Sequence, residues 1–580
     1  MTRTDPASSI GIVDSRRLLG PNLYSVCGGV VLEVSCDDSR IDVLTRAWSR
    51  GASAMARELG WGEVETHVRR EPGGATVFMT APVDALMTAT DVNEAAWTAA
   101  HSGVDACEPS PTRSRLLASA AAERDAQPNV AAVFTEALAR NVSATFDDDL
   151  LTIGSGAGSQ SWALSDVPDA REIAWDTVRD IPIALVTGSN GKTTTTRLIA
   201  AMWRAAGVTP GWSCSDGVWV GDRQLEWGDF SGPAGARAVL RDPAVGAAVL
   251  ETARGGILRR GLAVTRADAA IITNVSADHF GEYGIANLTD LADVKAVVAS
   301  VLGAEGRLVL NADDALLVAL GARYPAQVSW FSASPTHLGL DAHVRSGGDA
   351  ACVRDGCAML HRDGVWCELG EVVAMPITLG GAALHNIENI LGAALLAASI
   401  GIPLAAIRAT LGNFGAVASD NPGRLQVYRF GGLTVLVDYA HNPDGLAALC
   451  GAASAISASR RLLLLGQAGN RDDEQLRALA HAACEVIRFD RVIVKEETEL
   501  LRGRLAGDVP RILAEALVHA GLPAQHLEIA SSEMAAVRRA FEWARNGDLL
   551  VCPIHVDKAA VLAWMSKLND ADWTPGAALP

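Results

Sequence analysis

Short aliphatic runs alternate with helically spaced stretches over most of this chain, and changes in that rhythm divide it into parts. From Asp180 onward the runs IPIALV, AAVLE, AAIIT and RLVLN each lead into polar or glycine-rich residues, with 3.6-residue periodicity between them. Apolar runs of this length read as strands buried on both faces, and their separation by amphipathic helices predicts a parallel sheet with helices on either side. After Pro422 a second, smaller series follows, LTVLVD, RLLLLG, RVIVK and DLLVCP, with stretches such as DEQLRALAHAACEVI between them. Ahead of both, the text from Leu32 to Ala100 mixes VVLEVSC and ATVFMTA with the helical IDVLTRAWSRGASAMAREL, which predicts a small α+β unit. The Gly/Ser-dense GSGAGSQSW from Gly154 reads as a linker. The expected organisation is an N-terminal α+β domain with its linker over 1–172, a central doubly wound α/β domain over 173–424, and a Rossmann-like α/β domain over 425–580.

Composition narrows the classes. Lys and Arg number 49 against 67 acidic residues, and the resulting −18 disfavours nucleic acid and anionic lipid as non-specific partners. The uncharged stretch from Ile390 to Ile407 is broken at Gly401-Ile402-Pro403, so it reads as two helices meeting at a turn and not as a membrane span. The ten cysteines are scattered without a Cys-x-x-Cys pair, and Cys352/Cys357 lack a histidine at zinc-finger spacing; reduced thiols and no structural metal are expected. The opening MTRTDPASS has no apolar run behind basic residues, which argues against a secretory signal and for a cytoplasmic location.

Chemistry concentrates at the carboxyl ends of the central strands, the edge where open α/β sheets bind ligands. VTGSNGKTTTTR joins the run Ile181–Val186 to RLIAAMWRAAG, giving strand, glycine loop and helix. Backbone N–H groups of Gly188, Ser189, Asn190 and Gly191 and the positive helix end suit a phosphate, Lys192 suits its β/γ oxygens, and Thr193 suits Mg²⁺. Val186 stands where the common phosphate-loop pattern has its first glycine, leaving the shorter GSNGKTT. Glu251 ends AAVLE and precedes TARGGILRRGL; it is placed either to hold Mg²⁺ or to pair with Arg254, Arg259 or Arg260. Asn274, Asp278 and His279 follow AAIIT, and hard oxygens with an imidazole fit a nucleotide's metal ion. Lys295 falls on the apolar stripe Leu288, Leu291, Val298 and Leu302 of a helix capped by Asn287; it either snorkels or is partly buried and open to carbamylation.

VTGSNGKTTTTR, Glu251, TNVSADH, NADD at Asn311, HNIENILGAA at His385, NPGR ending in Arg424 and DYAHNPDGL at Asp438 occur in the order found in Mur ligases, which the chain resembles. ETARGGILRRGL and LLRGR, with Arg502 and Arg504, resemble most the Mur-type half of cyanophycin synthetases, and RRLLGPNLYS resembles their amino-terminal domain. Those synthetases carry an ATP-grasp ligase between the two, and 1–172 is too short for an intact one. The resemblance implies ATP-dependent, ADP-forming amide ligation, in which a substrate carboxylate becomes an acyl phosphate and an amino-acid amine displaces phosphate. It also implies ATP with two Mg²⁺ ions. Lys192 and Thr194 fall to phosphate, Thr193 and Glu251 to one ion, and His279 and a carbamylated Lys295 to the second. Asn386 and Asn389 fall beside adenine, and Arg424 and Asp438 beside phosphate and ribose. Arg254, His441, Arg502 and Arg504 fall to substrate carboxylates, although solvated arginines fit the same spacing. Amino acids or short acidic peptides are the expected substrates, and self-association into a dimer or tetramer is the expected state. Ser189, Phe280 and Asn470 stand where that family tends to have Thr, Leu and Asp. A non-catalytic, nucleotide-binding Mur-like scaffold for a separate ATP-grasp ligase is the alternative. A GTPase is disfavoured because no NKxD follows.

Overall fold

The computed structural model describes residues 11–277, 280–324, 327–334 and 336–580. Strands β1 (Gly11–Leu18), β2 (Gly29–Ser35), β3 (Thr66–Glu71) and β4 (Gly74–Thr80) form an antiparallel sheet in the order β1-β2-β4-β3, backed by helices α1 (Asp38–Glu58) and α2 (Leu86–Ser102). Side chains alternate across a strand, so Val30, Leu32 and Val34 join Trp48 and Trp97 under the helices while Val31 packs with Leu18 and Phe78 on the other face. Helices α3 (Pro111–Ala126) and α4 (Val130–Ala139) lead into a three-stranded sheet, β5 (Ala144–Phe146), β6 (Leu150–Ile153) and β7 (Gln160–Ala163). The GSGAGS of GSGAGSQSW joins β6 to β7 as a packed connection, unlike a free linker, and its QSW opens β7. Gly154, Ser155 and Gly156 are buried, Ala157 N–H donates to Val245 O at 2.9 Å, and Ser155 Oγ accepts from Ile181 N–H at 2.9 Å.

The central sheet has eleven strands, β8 (Ile183–Thr187), β9 (Pro210–Cys214), β10 (Gly217–Val220), β11 (Arg223–Trp227), β12 (Ala247–Glu251), β13 (Ala267–Ile272), β14 (Leu302–Asn311), β15 (Val328–Ser332), β16 (Ala350–Arg354), β17 (Cys357–Arg362) and β18 (Val365–Glu371). Their order is β11-β10-β9-β12-β8-β13-β14-β15-β16-β17-β18, parallel from β9 to β16 with antiparallel hairpins at both edges. Every second residue of the inner strands faces each way: Ala184 and Val186 pack under α5 (Lys192–Ala205), α11 (Leu384–Ser399) and α12 (Leu404–Asn413). Ile183 and Leu185 pack under α6 (Pro233–Arg241), α7 (Arg254–Arg260) and α8 (Leu288–Ala296). Helices α9 (Ala315–Gly321) and α10 (Leu338–Arg345) flank β15. The turn at Gly401-Ile402-Pro403 separates α11 from α12, and among the described residues no helix is long and apolar enough to cross a membrane.

The last domain repeats the plan on a smaller scale. Strands β19 (Gln426–Phe430), β20 (Leu433–Asp438), β21 (Arg461–Leu465), β22 (Arg491–Lys495), β23 (Leu527–Ala530) and β24 (Leu549–Pro553) lie in the order β19-β20-β24-β21-β22-β23, parallel except for β19. Leu463 and Leu465 face one core, shared with α13 (Pro443–Ser454), α14 (Asp473–Glu485) and α15 (Asp508–His519). Leu462 and Leu464 face the other, shared with α16 (Glu533–Trp543) and α17 (Lys558–Asp570). The carboxyl edges of both sheets, where unpaired backbone ends and polar residues collect, therefore turn toward one cavity of about 2080 Å³.

Candidate active site

The order of the central sheet sets the site. From β8 the chain passes over β12 to β9, and from β12 it crosses back over β8 to β13, so the loops after β8 and β12 diverge and leave a crevice between them. Gly188 to Lys192 fill that crevice. Ser189 N–H donates to Asn274 O at 2.9 Å, Asn190 N–H to Asn274 Oδ1 at 2.8 Å, and Ser189 Oγ–H to Ser276 O at 3.0 Å, so the loop is braced by the segment after β13. Gly191 adopts φ 84° and begins α5; a Cβ there would lie 2.2 Å from Asn389 Oδ1, so only glycine lets the loop pass this close to α11. Lys192 Nζ rests on Ser189 O at 3.0 Å.

Thr193 and Glu251 meet beneath the loop. Thr193 Oγ–H donates to Glu251 Oε2 at 2.8 Å and lies 3.1 Å from Ser215 Oγ, while Arg424 Nη2 donates to the same Ser215 Oγ at 2.9 Å. Glu251 is 2% exposed, and burial raises its carboxyl above the ordinary range against the pull of Lys192 and the bond from Thr193. A buried carboxylate beside two hydroxyls is a set of hard oxygen donors short of one cation, the chemistry Mg²⁺ accepts. Asp278 and His279 lie outside the described residues. Lys295 is 3% exposed and belongs to the cavity wall with Asn311, Asp313 and Glu388; burial, with Asp313 and Asp314 nearby, pushes the Glu388 carboxyl up to about 7.

The last domain closes the site from the opposite side. Asn190 and Asn442 exchange amide hydrogen bonds at 3.0 and 3.2 Å, which ties the phosphate loop to the N-cap of α13. Asn421 Nδ2 donates to Thr194 Oγ at 3.1 Å, and Lys558 Nζ to Asp216 at 2.6 Å. The Arg424 guanidinium lies 4.4 Å from the centre of the Tyr439 ring, a cation–π contact that holds it over Ser215. Asp438 accepts from Leu425 N–H at 2.6 Å and lines the cavity with His441. Asn386 donates to Ile377 O and accepts from Asn389, so the two amides form one buried unit on α11.

Of the arginines singled out from the sequence, Arg254 is buried against Glu282 at 2.5 Å and Arg502 lines the cavity. Arg504 is not among the lining residues: its guanidinium donates to Gly469 O and Arg471 O and pairs with Asp473 at 2.8 Å, which folds the loop before α14. Ser215 and Tyr439 are central to the contacts and were not legible. Ser215 lies outside any recognisable motif, and Tyr439 acts only once Arg424 stacks on it.

A second polar cluster lies at the edge of the C-terminal sheet. Glu497, Glu533 and His555 come close enough to hold a metal ion, but Lys495 Nζ already sits among them, in contact with Glu533 and 3.3 Å from Glu497. Glu533 also accepts the N–H groups of His555, Val556 and Asp557 at 2.8, 3.0 and 2.6 Å, so it fixes the turn into α17. Burial alone would raise the Glu497 carboxyl; His555 at 2.6 Å and Lys495 outweigh it and lower the group to about 2.

A phosphate loop joined across a cleft to a second Rossmann-like domain defines a two-lobed nucleotide-binding α/β architecture. Residues 186–397 match the Mur ligase middle domain, and 423–553 match the Mur ligase, glutamate ligase domain; over these residues the chain belongs to the Mur ligase family. It is 38% identical over 384 residues to a cyanophycin synthetase of Synechocystis sp., covering 66% of this chain and 43% of that protein. It is 29% identical over 403 residues to the UDP-N-acetylmuramoyl-L-alanyl-D-glutamate–2,6-diaminopimelate ligase of Chlorobaculum tepidum, covering 63% and 70%. Among solved structures, the bifunctional folylpolyglutamate synthase/dihydrofolate synthase of Yersinia pestis superposes with a TM-score of 0.46 at 19% identity, over 66% of this chain and 89% of that one. The chain spans less than half the length of the cyanophycin synthetases it matches.

Proposed function

We propose that this chain is an ATP-dependent, ADP-forming amide ligase that activates a substrate carboxylate as an acyl phosphate for attack by an amino-acid amine. The observation that carries the reading is the gathering of Lys192, Thr193, Ser215 and, from the junction between the lobes, Arg424 about the buried Glu251 carboxylate. The donor set fits Mg²⁺, which when bound neutralises charge on the transferring phosphoryl group. The loop amides from Gly188 to Gly191 and Lys192 hold the β/γ-phosphates, while Thr193 and Glu251 orient the metal-bearing side. Arg424, held by Tyr439 of the second lobe and by Ser215, faces the phosphoryl group from the junction between the lobes. Asn386 and Asn389 border the adenine, Asp438 the ribose, and His441 with Arg502 the substrate. His279 and Lys295, the latter carbamylated, complete a second ion site.

Chemistry of this kind depends on placement and charge neutralisation, and the bonds between Asn190 and Asn442 explain how the two lobes are held in register while the acyl phosphate is shielded from water. Amino acids and short acidic peptides, assayed in pairs for ADP release and new amide mass, test the reading. Product with wild-type protein and its loss in Lys192→Ala support it. ADP and amide formation unaffected by that substitution overturns the assigned site. Nucleotide binding without any turnover, restored by a separate ATP-grasp protein, establishes the scaffold alternative. Intact-mass analysis in bicarbonate tests Lys295.

A further inference from the structure

Two segments that lie far apart in the sequence, RRLLGPNL at 16–23 and ETARGGILRRGL at 251–262, are in contact in the fold. Leu19 N–H donates to Arg260 O at 2.8 Å, Leu262 N–H to Pro21 O at 2.7 Å, and Arg16 Nε to Leu258 O at 3.0 Å. A Cβ at Gly261, which has φ 76°, would lie 2.7 Å from Gly20 O, so the backbones touch and the N-terminal sheet is fixed to α7. Arg16, Arg17, Thr90 and Asp91 consequently line the same cavity as the phosphate loop.

The charges along this wall are unevenly matched. Arg16 is held by Asp14 and Glu33, Arg17 by Asp148, and Arg254 by Glu282. Arg237 shares Asp147 with Arg241: its buried Nε lies 3.3 Å from that carboxylate but makes no hydrogen bond among the described residues. Arg259 and Arg260 are exposed on the wall, and neither has a carboxylate partner among the described residues. Burial lowers the Arg237 guanidinium, and the like charges of Arg241 and Arg260 work against the pull of Asp147. Asp91, on α2, lines the same cavity and has no ion pair among the described residues. Adjacent guanidinium groups with spare donors are relieved by an anion, and bidentate carboxylates match their geometry.

We infer that the N-terminal domain and α7 together form the binding wall for an acidic peptide, whose non-reacting carboxylates are held by Arg237, Arg259 and Arg260 while another of its carboxylates reaches the phosphate loop. This rests on the ligase reading for the fate of the reacting carboxylate, but not for binding itself. The test uses the full chain and a fluorescent peptide of aspartates and glutamates, followed by anisotropy at low and high salt. Binding that weakens about tenfold in the Arg259→Gln/Arg260→Gln protein, with a flatter salt dependence, and tightens about twofold in Asp91→Asn is the expected result. Nucleotide affinity is unchanged in both, which shows that the folded site survives. No peptide binding by the wild-type chain, or binding indifferent to all three substitutions, overturns the inference. So does an arginine-dependent site that takes free aspartate or glutamate but no peptide. Binding that behaves as expected without any ATP-dependent amide product sinks the ligase reading and leaves the site standing. Product whose acceptor KM ignores these substitutions does the reverse.

Discussion

Replacing Glu251 by Gln has an unusual expected sign: the protein becomes more stable and stops working. The amide keeps the shape of the side chain and accepts the Thr193 hydroxyl now bonded at 2.8 Å. A bond to a neutral acceptor is worth about 1 kcal/mol against about 1.5–3 kcal/mol for a charged one, so the exchange loses on the order of 1 kcal/mol. Removing a buried charge recovers several kcal/mol per ion in general, offset here by the lost attraction to Lys192. The raised carboxyl shows that the surroundings disfavour the charge on balance, so the net is a gain on the order of 1 kcal/mol. A group whose folded value is raised binds its proton more tightly when folded. The wild-type protein therefore loses stability as pH climbs above about 4.5, and the variant's advantage is absent at low pH and grows toward neutrality. Activity moves the other way, with kcat/KM falling at least about a hundredfold because the cation loses its charged ligand. Thermal unfolding at acidic and mildly alkaline pH, each with and without ATP and Mg²⁺, reads both effects. A variant less stable than wild type at the higher pH, or one still stabilised by Mg-ATP to the same extent, refutes the reasoning.

Gly191→Ala sets a Cβ 2.2 Å from Asn389 Oδ1 at a positive φ, and a loss of about 1–2 kcal/mol from the left-handed backbone is expected by denaturant titration, together with weaker nucleotide binding. Glu497, lowered to about 2, contributes stability that is complete above its ordinary 4.5 and disappears as pH falls toward 2; acid titration of Glu497→Gln should lack that limb of the curve. Arg424→Lys keeps the charge but loses the planar stack on Tyr439 and the fixed reach to Ser215, so nucleotide KM should rise about tenfold in steady-state assays. Light scattering of the purified chain tests self-association: a mass of 60.6 kDa contradicts a dimer or tetramer.

The amino-acid order by itself determined the parallel strands. IPIALV, the AAVL of AAVLE and the VLV of LTVLVD are unbroken apolar runs, which only a strand covered on both faces can use, and β8, β12 and β20 run through them. It determined the phosphate loop as well, because a glycine run between a buried strand and an amphipathic helix has few other uses. The edge hairpins β10–β11 and β17–β18 were not legible, since partly exposed edge strands lack that continuous apolar signature. Only the tertiary structure decided how distant segments share work. Ser215 joins Thr193, Glu251 and Arg424 through contacts between strands and lobes, and no spacing encodes them. Arg504 fits a substrate-binding motif in sequence, yet its donors are taken by neighbouring backbone carbonyls once the loop folds. The docking of RRLLGPNL on α7 was equally invisible, because it is made of backbone hydrogen bonds and close glycines, which any side-chain pattern leaves unspecified.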